Sequence, residues 1–182
     1  MTSRDTLLTR ENILTKNIKS KERVREFAEV YTPTWLVKHM CDLLNQENGE
    51  DVFTDLDATW LEPSCGNGNF LVEILRRKLA RAQTPLDRLR ALGSIYGCDL
   101  LEDNIVEARA RMLAIFREVD DSPQAVEIVF RNVVQGNFLT QLNSAGERIV
   151  VNRWRVEDGR LVPCDPETLA EPFKKRGRRE KG

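Results

Sequence analysis

The stretch that most constrains this chain is Glu62-Pro63-Ser64-Cys65-Gly66-Asn67-Gly68-Asn69-Phe70, a loop with two glycines one residue apart. The apolar segment Ala58 to Leu61 precedes it, and Phe70, Leu71, Ile74, Leu75 and Leu79 follow at helical spacing. Strand, glycine loop and helix in that order describe a turn where backbone angles closed to other residues are used and a ligand can approach the main chain. Glu62, at the end of the strand, lies four residues before Gly66, where a carboxylate would meet an ammonium rather than a pyrophosphate. A dinucleotide loop would carry a third glycine at position 71, which is Leu71, and an acid about 20 residues on, whereas Asp99 stands 33 residues beyond Gly66. Taken alone, such a turn can also serve only to join a strand to a helix.

The flanking pattern extends this unit into a fold. Thr32-Pro33-Thr34 predicts a helix start, with Thr32 as N-cap and Pro33 at the first helical position, and Leu36, Val37, Met40, Leu43 and Leu44 form its stripe up to Asn48-Gly49. Thr84-Pro85 starts another short helix, and Ile95 to Asp99 reads as the next strand. Glu102 and Asp103 open a helix that continues through Ile105, Val106, Met112, Leu113 and Phe116, with acids where the helix dipole favours them. Val126 to Phe130 and Val133-Val134 are the following strand candidates, ending at Gln135-Gly136-Asn137-Phe138-Leu139. This alternation predicts an α/β fold of truncated Rossmann-like type, a mainly parallel sheet flanked by helices. Beyond Ser144 the pattern changes: Glu157-Asp158-Gly159-Arg160 between Ile149–Val156 and Leu161–Pro163 predicts a C-terminal β-hairpin.

Asp99 would sit beside the glycine loop at the carboxyl end of its strand, the place where open α/β sheets bind ligands. Its carboxylate can accept from ribose hydroxyls, with Leu100 beside it; the structural alternative is a helix-capping acid ahead of Glu102. Asn137 offers a side-chain oxygen to an adenine amino group and Phe138 a ring to pack on the base, although Asn is also an ordinary turn residue.

In this order and context the segments resemble the cofactor-binding part of the S-adenosylmethionine-dependent methyltransferases that modify the N6 amine of adenine in DNA. The resemblance covers roughly residues 27 to 140 and implies a class I methyltransferase fold. It implies S-adenosylmethionine as cofactor, bound by Tyr31, Thr32 and Pro33 near the methionine end, by the loop residues Glu62, Pro63, Ser64, Gly66, Gly68 and Phe70, by Asp99 at the ribose with Leu100 next to it as a further cofactor contact, and by Asn137 and Phe138 at the adenine. Asn137 departs from the family, which more often has Asp there.

A larger departure follows. The family continues with an Asn/Asp-Pro-Pro-aromatic tetrad that holds the target amine and stacks on a flipped base, and no Pro-Pro occurs in this chain. Cys164-Asp165-Pro166-Glu167 and Ala170-Glu171-Pro172-Phe173 are partial matches only, so no catalytic residue is assigned. Trp35 and Trp154 can stack on a base but suit packing better, and His39 receives no catalytic role. Two functions therefore stand: a methyltransferase-like protein of a DNA modification or restriction system, or a catalytically inactive accessory subunit that binds the cofactor or a partner chain. Either way the single chain is expected not to methylate DNA by itself.

Charge distribution bears on partners. Residues 31 to 173 hold 15 Lys and Arg against 23 Asp and Glu, whereas Lys174, Lys175, Arg176, Arg178, Arg179 and Lys181 are opposed only by Glu180. DNA contact would thus depend on this basic tail or on a partner. The valines around the predicted hairpin favour a homo- or hetero-oligomer. The organisation expected is a charged arm over 1–29, a methyltransferase-like domain over 30–173 and the basic tail over 174–182. No apolar run of about 18 residues and no apolar leader after Met1 are present, which implies a cytoplasmic protein without membrane contact. Cys41, Cys65, Cys98 and Cys164 with one histidine imply reduced thiols and no metal site.

Overall fold

The computed structural model describes residues 18–27 and 29–169. The basic tail, the partial tetrad match at 170–173 and most of the charged arm lie outside the described residues. In chain order the elements are α1 (Lys21–Phe27), α2 (Thr34–Asn48), β1 (Trp60–Glu62), α3 (Asn69–Leu79), α4 (Pro85–Gly93), β2 (Ile95–Asp99), α5 (Glu102–Arg117), α6 (Gln124–Asn132), β3 (Val133–Gln135), β4 (Val150–Glu157) and β5 (Arg160–Thr168).

β1, β2 and β3 form a parallel sheet in that order, with Trp60 beside Ile95, Glu62 beside Gly97, and Asp99 beside Gln135. All five residues of β2 are buried, as a central parallel strand covered on both faces requires. On one face Leu71 and Leu75 of α3, Ile105, Ala108, Met112 and Phe116 of α5, and Ile128 of α6 pack on Ile95 and Val133. On the other, Tyr96 and Cys98 meet Ile149, Val151 and Leu169, with Leu61, Val134 and Phe138 at the margin. The α/β architecture expected from the sequence is present, with three parallel strands.

Local chemistry sets the helix ends. Thr84 accepts from the Asp87 N–H while the Asp87 carboxylate accepts from the Thr84 N–H, a reciprocal box with Pro85 in the first turn of α4. Gly49 closes α2 at φ 70°. α2 begins one residue later than expected: Pro33 occupies the N-cap, its carbonyl accepting from Leu36 at 2.9 Å and Val37 at 3.0 Å. Of its expected stripe only Val37 is buried, joined by Cys41, and Met40, Leu43 and Leu44 are exposed together with Trp35.

The strand expected over Val126 to Phe130 is instead part of α6. Ala125, Ile128, Val129 and Asn132 are buried while Val126 and Phe130 face solvent, a period of 3.6 rather than 2. Its β-branched content was outweighed by tertiary packing of that helical face. The sheet strand shrinks to β3.

The hairpin turns at Asp158 and Gly159, with φ of 50° and 73°, the two positive angles a two-residue type I′ turn needs. β4 and β5 make a separate antiparallel sheet rather than extending the parallel one. It is docked firmly: Trp154 Nε1 donates to Asn132 Oδ1 at 2.9 Å, and Asn132 Nδ2 donates to the Gly93 and Ile95 carbonyls. The Cys164–Glu167 segment forms part of β5, with Pro166 opposite Asn152. Among the described residues no helix is long and apolar enough to cross a membrane.

Candidate functional site

The loop after β1 is built from two left-handed glycines. Gly66 has φ 51° and Gly68 φ 86°, a conformation L side chains rarely adopt. Space adds to this, since a Cβ on Gly66 would sit 3.1 Å from the Tyr31 ring and one on Gly68 would sit 2.9 Å from Ala108 Cβ. Gly68 thus lets the loop lie against α5, and Gly66 lets Tyr31 lie against the loop.

A two-lobed cleft opens where this loop meets the carboxyl ends of β1 and β2. The larger lobe, about 220 Å³, is bounded by Tyr31, Ser64, Gly66, Asp99, Leu100 and Asn104, with Phe27, Glu29, Val30 and Leu101 completing it. The smaller, about 80 Å³, adjoins it through Val30, Tyr31, Ser64 and Gly66 and reaches Thr32, Glu62 and Phe70. Eight of the residues expected from sequence therefore line one cleft: Tyr31, Thr32, Glu62, Ser64, Gly66, Phe70, Asp99 and Leu100. Pro33 and Pro63 adjoin lining residues in the chain, and Gly68 acts behind the loop as the N-cap of α3.

Asn137 and Phe138 do not line either lobe. Asn137 Oδ1 accepts from its own turn, from the N–H of Leu139 at 2.9 Å and of Thr140 at 3.3 Å. Phe138 packs on the hairpin side of the sheet.

The two acids of the cleft differ in their surroundings. Asp99 is buried and anchored: Oδ2 accepts from the Gly66 N–H at 2.8 Å, and Oδ1 accepts from the Leu101 N–H at 3.0 Å and Asn104 Nδ2 at 3.1 Å. Asp99 therefore lines the cleft, whereas the helix-capping alternative is not met: its bond goes to the N–H of Leu101, the N-cap residue of α5, which itself makes no side-chain cap bond. A carboxylate has about four acceptor positions, so one position on Oδ2 is left for a ligand. Glu62 is half-buried and has no cationic partner among the described residues; burial pushes its carboxyl up, opposed only by the Ser64 backbone N–H.

Sequence reasoning missed the wall opposite Asp99. Residues 19–27 and 29–31 lie at the N-terminal end of α5 as a strap held by charge. Arg23 grips Glu29 through two nitrogens and reaches Asp103 at 2.7 Å, while Lys19 pairs with Asp103 at 2.9 Å and Glu107 at 3.1 Å. Asn104, 1% exposed, is the hub: its Nδ2 donates to Glu29 at 2.6 Å as well as to Asp99, and its Oδ1 accepts from Tyr31 Oη at 2.8 Å and Lys19 at 3.0 Å. Burial alone would raise the Glu29 carboxyl, but Arg23, Asn104 and Tyr31 outweigh it and hold it below its ordinary range. Burial and the neighbouring Glu29 push the Tyr31 hydroxyl up to about 12, so it stays a donor at neutral pH. One signal was available in the sequence: Asn104 falls on the buried stripe with Ile105, Ala108 and Met112, and a polar residue on such a face needs partners.

No family model matches this chain, and no curated protein or solved structure is similar to it.

Proposed function

We propose that the cleft binds S-adenosylmethionine or its demethylated product, and that the chain is the cofactor-binding part of a DNA adenine-N6 modification system. The observation that carries this reading is Glu62: a half-buried carboxylate with no cationic partner among the described residues, in the lobe beside a glycine loop, is suited to an amino acid's ammonium group. The residues fit the ligand at that end, with Tyr31, Thr32 and Ser64 around it. At the nucleoside end Asp99 has room for one ribose hydroxyl without releasing a present donor, and Leu100 offers an apolar surface for the adenine. Asn137 would serve the adenine only by leaving its own turn. The cofactor would supply an electrophilic methyl group; this chain's part is to bind and orient it and to exclude water.

These 182 residues contain no Pro-Pro tetrad, so groups that hold a target amine must come from chain beyond them or from a partner. That favours, as the second reading, an accessory subunit that binds the cofactor without transferring its methyl group. β4 and β5 pair only with each other among the described residues, and Val150 and Val156 on them are exposed, which suits pairing with a second chain. A strictly monomeric mass in scattering would count against such pairing.

Calorimetry with S-adenosylmethionine, its demethylated product and NAD tests the central reading. The first two should bind in preference to NAD, and Glu62→Gln should weaken them by about 1.5–3 kcal/mol, the worth of a hydrogen bond to a charged group. Affinity should also fall with pH as Glu62 takes up a proton at its raised pKa. Equal affinity for NAD, or no effect of Glu62→Gln, would refute it. With labelled cofactor and mixed-sequence DNA the single chain should transfer nothing to adenine; robust transfer would overturn the accessory reading.

A further inference from the structure

A second concavity, about 280 Å³, lies between α3 and α5 and shares only Asn69 with the cleft. Val72, Ala114 and Ile115 form its apolar floor, and Thr34, Arg76 and Arg111 bring polar groups to it. The Arg76 side chain makes no hydrogen bond or ion pair among the described residues. Arg111 makes one, donating from Nη1 to the Asn67 carbonyl at 2.6 Å, which leaves most of its five N–H groups without a protein partner.

The acids that could neutralise this pair are already engaged. Glu73 also lines the groove but is bound to Arg77 at 2.8 Å, and Arg77 is further held by Asp42. Glu107, one turn before Arg111 on α5, pairs with Lys19 and accepts from Asn67 Nδ2 at 2.9 Å. Asn69 spends its Nδ2 on the Thr32 carbonyl. Burial lowers the pKa of the Arg111 guanidinium; Glu107 opposes this and the Arg76 charge adds to it. The partly buried Arg111 and the exposed Arg76 place two like charges at one groove, and an arriving anion attracts both.

We propose that this groove is a phosphate-binding site, in which Arg76 and Arg111 clasp the oxyanion and the Thr34 hydroxyl donates a further hydrogen bond. Guanidinium groups suit this ligand because their planar forks match phosphate oxygens two at a time. The same chemistry is offered by free phosphate groups and by the backbone of a polynucleotide. Through the Arg111 bond to Asn67, an occupied groove would also steady the glycine loop from behind.

The test uses the full chain, first with inorganic phosphate and then with a mixed-sequence oligonucleotide, single-stranded and duplex. Phosphate should raise the thermal midpoint relative to chloride at equal ionic strength. The rise should vanish in Arg76→Gln, which removes no side-chain hydrogen bond or ion pair among the described residues, and persist in Arg117→Gln, an exposed cation of α5 outside the groove. If the polynucleotide backbone is the source, the parent should bind the oligonucleotide about tenfold tighter than Arg76→Gln, with a salt slope steeper by about one counterion. A phosphate response without that difference identifies a free phosphate group instead. Arg111→Gln should behave as Arg76→Gln where it folds. The proposal is overturned if parent and Arg76→Gln respond alike to phosphate, or if neither responds.

Discussion

Gly66 donates its backbone N–H to Asp99 Oδ2 across 2.8 Å, so the first glycine of the loop hangs from the acid at the end of the neighbouring strand. Asp99 therefore holds the cleft together before any ligand arrives. Asp99→Ala should lower the stability of the ligand-free protein by about 1–3 kcal/mol, the cost of leaving buried donors unpaired. Asp99→Asn should cost less, because its carbonyl oxygen can still accept from Leu101. Urea unfolding of the two variants decides this, and an unchanged midpoint for Asp99→Ala would mean the loop does not depend on that bond.

The strap should be separable from the body. Arg23→Met leaves Glu29, 9% exposed, with only neutral partners among the described residues, and should favour local opening of the strap by about 1–3 kcal/mol. Native-state hydrogen exchange would read this as faster exchange at Val30 and Tyr31 with little change in β2. Uniform acceleration across the chain would show instead that strap and body unfold as one unit.

Lys78 is fully buried, with Nζ donating to the Ala58 carbonyl at 2.7 Å and to Ser94 Oγ, and with no ion pair to a carboxylate among the described residues. Burial pushes its pKa down to about 8. The sign follows directly: between about pH 8 and the unfolded value near 10.4 the unfolded chain binds more protons at this site, so its contribution to stability rises with pH. Cys41 and Cys98, raised by burial to about 11, oppose the trend above pH 9. The difference between parent and Lys78→Met isolates the lysine. The variant should be more stable at pH 7, on the order of 1–2 kcal/mol, with a smaller advantage at pH 10. Denaturant curves giving a constant difference at both pH values would refute a charged lysine in the core.

Gly68→Ala combines two penalties, a strained φ of 86° and a clash with Ala108. It should cost roughly 2–4 kcal/mol in total. Ala108→Gly carries its own cost of about 1 kcal/mol as a helix-interior glycine, so the two are read as a cycle: Gly68→Ala should cost less in the Ala108→Gly background than in the parent, because the steric part is gone and the torsional part remains. An equal cost in both backgrounds would place the whole penalty in the backbone angle.

The glycine loop, β2 and the Asp158-Gly159 turn were legible in sequence because each rests on a local rule: positive φ, a buried apolar run ending in an acid, and a two-residue type I′ loop. α6 was not, because Val126, Ile128 and Val129 favour a strand locally and only Pro123 and the buried spacing of Ala125, Ile128 and Asn132 reveal the helix. Within the cleft, residues near one another in sequence were found, from Glu62 to Phe70. Asn104 and Glu29 were not, because they meet across 75 residues, and a hydrogen bond at that separation leaves no periodic trace. Asn137 illustrates the converse: its position fits a ligand contact, but its oxygen satisfies two N–H groups of its own turn.

Because the Trp154 indole is clamped to Asn132, the hairpin carries its own optical probe. The other two tryptophans occupy different surroundings: Trp60 stacks on Phe53 with ring centroids 5.0 Å apart, and Trp35 stands in solvent on α2. Emission from a protein retaining only Trp154 should shift to the red as soon as the hairpin lifts, whether or not the parallel sheet melts. The same experiment with only Trp60 reports the sheet, so two single-tryptophan proteins can time the detachment of one layer against the collapse of the other.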